Sequence, residues 1–182
     1  MKKLTKLTSL LLAGIMVLAM LTACGGTGND AATAKFEGKV EQAYMAKLNE
    51  KLKATYGEKF ENFENDETIK NLAVERIVAM ANKETLTKDE LWTKEEPTET
   101  TQNWVMICYD VNQSTGKYVT SSYEAGKAET ITPNQKSIDA FLNLAQMKRG
   151  QVGNTAKFTA LGVGAKTING KTYVAIGFRV EG

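Results

Sequence analysis

Phe158-Thr-Ala-Leu-Gly-Val-Gly-Ala-Lys166, then Thr167-Ile-Asn-Gly170, then Lys171-Thr-Tyr-Val-Ala-Ile-Gly-Phe-Arg-Val180 reads as two β-strands joined by a tight turn. Val174, Ile176, Phe178 and Val180 alternate with Tyr173, Ala175, Gly177 and Arg179, the period of two that a pleated strand imposes. Asn169-Gly170 is a hairpin signal, because both residues tolerate the positive φ that a two-residue turn needs. Strands are expected over 158–166 and 172–180.

Outward from this hairpin, the chain alternates between helical and extended patterns. Thr132-Pro133 opens a helix with Ile138, Phe141, Leu142 and Ala145 inward. A Gly-broken loop is expected over 150–154. Trp104-Val-Met-Ile-Cys-Tyr-Asp-Val111 is apolar on both faces and reads as a buried strand. A turn at 112–116 and a β-prone run at 117–123 make a hairpin with it. Residues 94–102 are polar, carry Pro97, and read as a loop. Thr87 to Trp92 is expected to start a short helical turn.

Two helices come first. Phe36, Val40, Tyr44, Leu48 and Leu52 recur every four residues over 36–56, ending near Gly57, with Glu37 and Glu41 among the charges expected in solvent. Asp66 caps a second helix running to about Asn82, with Ile69, Leu72, Ala73, Ile77 and Met80 apolar. Arg76 falls on that apolar stripe. A cation there needs a carboxylate, a route to water, or a ligand.

Residues 1–23 have the layout of a secretory signal peptide. Lys2, Lys3 and Lys6 precede an uncharged apolar run that leads to Leu21-Thr-Ala-Cys24. A Cys after Leu-Thr-Ala resembles a bacterial lipobox, which implies cleavage before Cys24 and diacylglycerol on its sulfur. The apolar run is shorter than the roughly 20 residues a spanning helix needs. Residues 24–34 are expected to be a flexible tether and 35–182 a single domain. The expected location is the bacterial cell membrane, facing away from the cytoplasm, with the lipid on Cys24 as the membrane partner.

Composition narrows the function. The chain has 182 residues, no His and a net charge of +2. Without imidazole, Ser-His-Asp and Cys-His catalysis and His-based metal sites are excluded. The first 23 residues hold three of the 23 Lys and Arg and none of the 21 Asp and Glu, so the remainder carries −1. That charge gives no general drive toward nucleic acid, and no nucleic-acid partner is expected. With Cys24 acylated, Cys108 has no disulfide partner and reads as a buried hydrophobe or a thiol. There is no Walker A loop, and Gly162-Val-Gly164 lacks the third glycine of a dinucleotide site. Trp92 and Trp104 are too few and too far apart in sequence to suggest a carbohydrate platform. No cofactor is expected.

Together these elements describe an α+β domain: a three-layer α-β-α sandwich with a small antiparallel sheet ending in a C-terminal hairpin. Phe158-Thr-Ala-Leu-Gly-Val-Gly164, Tyr173-Val-Ala-Ile-Gly-Phe178, Ser137-Ile-Asp-Ala-Phe-Leu-Asn-Leu144 and Leu72-Ala-Val-Glu-Arg-Ile-Val-Ala-Met80 resemble segments of the CAP superfamily, in its bacterial form. That family comprises the cysteine-rich secretory, antigen 5 and pathogenesis-related domains. The resemblance implies a central cleft where many members carry two His and two Glu, some with a divalent metal. This chain has no His, so the tetrad is absent. By position, Arg76 stands near the first His, Met147 to Arg149 near the second, and Glu124 near a family Glu. The resemblance therefore implies a ligand cleft of Arg76, Glu124 and Arg149, either a structural ion pair or a holder for an anion.

Three functions follow as expectations. The first is a surface-exposed, non-enzymatic binding or interaction module for an envelope or extracellular ligand. The second is an envelope hydrolase using two carboxylates with separated pKa values in one cleft. The third is a purely structural envelope lipoprotein.

Overall fold

The computed structural model describes residues 30–57, 60–95, 100–127 and 130–182, and Ala32–Gly182 form one compact unit. The signal peptide and Cys24 lie outside the described residues. Helix α1 spans Asp30–Tyr56 and α2 Glu67–Met80, followed by a 3-10 turn at Lys88–Glu90. Strands β1 Trp92–Glu95, β2 Thr101–Ile107, β3 Tyr109–Val111, β4 Tyr118–Thr120 and β5 Ser122–Glu124 come next. Helix α3 Gln135–Val152 precedes the long hairpin of β6 Lys157–Ile168 and β7 Lys171–Glu181.

The fold is α+β around a mostly antiparallel sheet, as the pattern predicts. Strand β7 is its spine. It pairs along its length with β6, with one bulge between Phe158 and Ala160. On its other side β5 pairs with the first residues of β7 and β2 with the rest, from Ala175 to Glu181. Strand β1 lies outside β2. Between β2 and β5 the chain makes a separate β3–β4 ribbon. The turn residues Asn169 and Gly170 have φ of 52° and 77°, so both central positions are left-handed as the Asn-Gly pair predicts.

Each face of the sheet meets an apolar cluster. Val174, Ile176, Phe178 and Val180 pack with Trp104, Met106 and the α1 and α3 stripes of Phe36, Val40, Tyr44, Leu48, Ile138 and Phe141. Ala175, Val105 and Ile107 pack with Ile69, Leu72, Ala73 and Ile77 of α2. Helix α2 sits unusually close to the sheet. A Cβ at Gly162 would stand 2.8 Å from Ile69 Cβ and Lys70 N, and one at Gly177 2.6 Å from Ile69 Cγ2. Glycine is required at both positions for this approach.

The outer edge of β6 is covered by polar groups from earlier in the chain. Asn65 exchanges two side-chain hydrogen bonds with Val163, and Asp66 N donates to Leu161 O at 2.9 Å. Glu41 accepts from Ala165 N at 3.2 Å and Glu37 from Thr167 N at 2.6 Å. An open strand edge is thereby closed to further pairing.

Several expectations are corrected. Helix α1 starts at Asp30, so the last part of the expected tether over 24–34 is helical. Residues 92–95 form β1 rather than leading into a loop, because pairing with β2 overrides their polar composition. The expected strand over 104–111 is broken at Cys108, which donates to Val174 O from the main sheet while its carbonyl accepts from Ser121. Helix α3 continues through Gly150 to Val152. Helix α2 ends at Met80, two residues early, and Leu144 rather than Leu142 is fully packed under α3. Glu41 is buried, not solvated.

Candidate functional site

The expected Arg76, Glu124 and Arg149 cleft does not form. Glu124 pairs with Lys171 at the start of β7. The Arg149 guanidinium lies 5.9 Å from the Phe158 ring, and Phe158 pairs with Val180 near the end of β7. Nine residues of strand, at about 3.3 Å each, separate the two by roughly 30 Å. Arg76 belongs to α2, whose apolar stripe packs on the sheet face opposite that of α3. Its Nη2 donates to the Glu90 carbonyl at 2.5 Å, while its Nε is buried without a partner. Burial lowers its pKa, opposed by the charges of Glu95 and Glu90. Arg76 therefore pins the 3-10 turn to α2. The turn's carboxylate, Glu90, is held down to about 2 by hydrogen bonds from Lys83 and Thr87. Glu124 is exposed, with Lys127 at 3.8 Å.

The structure instead assembles a group that the sequence scatters. Trp92 on β1 and Trp104 on β2 bring their ring centroids to 5.3 Å, at a tilt of 51°. Cross-strand register explains this: Lys94 is opposite Trp104, Trp92 is opposite Met106, and these alternate positions share one face. Helix α3 lays Lys148 on that face. Its Nζ stands 4.4 Å from the Trp92 ring centroid and 4.1 Å from that of Trp104. Trp104 Nε1 donates to Gln102 Oε1 at 3.2 Å, which fixes the indole. Lys94 Nζ lies 6.0 Å from the Trp104 ring.

Lys148 is 8% exposed and makes no hydrogen bond or ion pair among the described residues. Its ammonium retains contact with solvent, since it is not among the fully enclosed unpaired atoms of the described residues. Indole faces attract a cation by about 0.5–2 kcal/mol, the more so as water is excluded. They supply no oxygen acceptor for its three N–H donors. Burial, and then the charge of Lys94, lower its pKa. The sequence signal that locates it is the buried stripe Ile138, Phe141, Ala145 and Lys148, spaced by three and four. This is the same anomaly that singles out Arg76 on α2.

Arg76 Nε apart, the other buried side-chain polar groups among the described residues are engaged. Glu41 Oε2 pairs with Lys70 at 2.8 Å, and its Oε1 holds Ala165 N. Burial raises its pKa, with Lys70 partly offsetting it. Tyr123 donates to Thr132 O at 2.8 Å, so the Tyr44 hydroxyl donates to Tyr123 at 2.9 Å and accepts from Asn134 N. This chain of bonds fastens the start of α3. Cys108 is fully buried, and burial pushes its thiol up, so it behaves as a packed hydrophobe. Among the described residues no group of three or more Cys, Asp and Glu could hold a metal ion, and His is absent. A divalent metal of the kind the CAP resemblance brings to mind does not fit these residues. Among the described residues no helix is long and apolar enough to cross a membrane. No family model, curated protein or solved structure matches the chain.

Proposed function

We propose that this chain is a bacterial lipoprotein, anchored by acyl chains on Cys24 and facing away from the cytoplasm, whose domain is a non-enzymatic binding module. Its architecture is read as a three-layer α-β-α sandwich of CAP-like form that has lost the family's cleft. Apolar clusters on both faces of the sheet support the layering. The family-like segments fall in α2, α3, β6 and β7, which supports the family reading. The observation that carries the binding reading is Lys148, a lysine buried between two tryptophans with no acidic partner among the described residues. Glu41 and Cys108, the internal groups best suited to acid–base or nucleophilic work, are tied up by edge capping and by burial.

The test has two arms. Cells expressing the full chain are labelled with an alkyne analogue of palmitate, and the chain is expected to carry label that Cys24→Ser removes. Label that survives Cys24→Ser, or no label at all, overturns the anchorage. The purified Cys24→Ser chain, which has no site for the acyl anchor, is also mixed with delipidated cell-envelope material. It is expected to sediment with that material without releasing soluble fragments. Fragment release would favour a hydrolase, and failure to sediment would overturn an envelope ligand.

A further inference from the structure

We propose that the cluster of Lys148, Trp92 and Trp104, with Lys94 at its rim, is a binding site for an oxyanion, a phosphate or carboxylate group carried by the module's ligand. This rests on the reading of the domain as a binding module, not on its anchorage.

The argument begins with an unmet need. Lys148 is the last position of the stripe that seats α3, a place where Leu or Met would complete the core. A lysine there buries its stem in the core and brings its charge to the core's edge. The indoles of Trp92 and Trp104 take up two sides of the ammonium and offer its N–H donors no oxygen, and no other described residue supplies one. The nearest acid along β1 does not supply one. Glu95 alternates to the opposite face from Lys94, where its charge acts on Arg76.

A second cation then adds to the first. Lys94 is exposed beside Trp104, and its charge acts unfavourably on Lys148. Two like charges around one indole pair, with no acid between them among the described residues, form a local positive field that opens to solvent. An oxyanion at that opening would accept from Lys148, relieve the repulsion from Lys94, and rest against the indole edges. Charge-assisted hydrogen bonds of this kind gain strength in a partly desolvated setting.

The chain has only two tryptophans, and both are in this cluster, so intrinsic fluorescence reports on the site directly. The full chain in detergent is titrated with inorganic phosphate and, separately, with acetate, at ionic strength held constant with chloride. A saturable change in tryptophan emission is expected with at least one of them. Which anion responds distinguishes a phosphate from a carboxylate ligand. Lys148→Met keeps an unbranched stem between the rings and is expected to abolish the response. Lys94→Glu, at an exposed position where folding is not at stake, is expected to weaken it roughly tenfold or more. Silence toward both anions, or an unchanged response in the Lys94→Glu chain, overturns the proposal. A chain that sediments with envelope material yet is silent to both anions overturns the oxyanion assignment and leaves the binding reading standing.

Discussion

Glu41 shows how one side chain can serve two neighbours at a cost. Its carboxylate closes the β6 edge through Ala165 N and pairs with Lys70, yet burial still holds its pKa above the ordinary 4.5. The folded chain thus binds this proton more tightly than the unfolded chain does. Stability contributed here is greatest at low pH and falls as pH rises from 4.5 through the raised value. Urea melts across that window are expected to show the slope for the native chain and its loss in Glu41→Gln, where the amide oxygen can still accept from Ala165 N. An identical slope in Glu41→Gln would assign it elsewhere. Helical periodicity alone placed Glu41 with the solvated charges, because it cannot show that a strand more than a hundred residues later lies against that face. Arg76 was legible as an anomaly on an apolar stripe, and its resolution by the Glu90 carbonyl was not. Lys148 carried the same signal on α3.

At the scale of elements, the close seating of α2 on the sheet makes a sharp contrast among glycines. Gly162→Ala would drive a methyl group to 2.8 Å from the Lys70 backbone, and Gly177→Ala to 2.6 Å from Ile69. Each is expected to destabilise by about 1–3 kcal/mol, since the Lys70 backbone must shift at the first site and the packed, β-branched Ile69 at the second. Gly150, inside α3 with open space around it, should behave oppositely. Gly150→Ala is expected to stabilise by about 0.5–1 kcal/mol through helix propensity. Thermal melts of the three variants check the signs, and equal effects would deny the seat. The terminal hairpin, the Asp66 cap and the two early helices were readable locally, because alternation, a capping side chain and a turn pair act within a few residues. Strand β1 was not readable, since its stability comes from β2 across the sheet.

For the whole molecule, Cys108 tests whether the core is closed. In a chain carrying Cys24→Ser it is the one remaining cysteine, and it is fully buried. It should resist a thiol reagent in the native state, react once denaturant unfolds the chain, and leave the melting temperature indifferent to reductant. Rapid native reaction would mean that the interior opens readily. The sequence by itself determined the α+β class, the helix stripes, and the hairpin and its turn, because each depends on residues close together in the chain. Tertiary structure decided the sites. It set Arg149 and Glu124 near opposite ends of β7, turned Arg76 to the other face, and joined Trp92, Trp104 and Lys148. Spacing along a chain sets the face on which a side chain emerges. Strand register and helix placement set which faces meet, and they follow from packing summed over the whole domain.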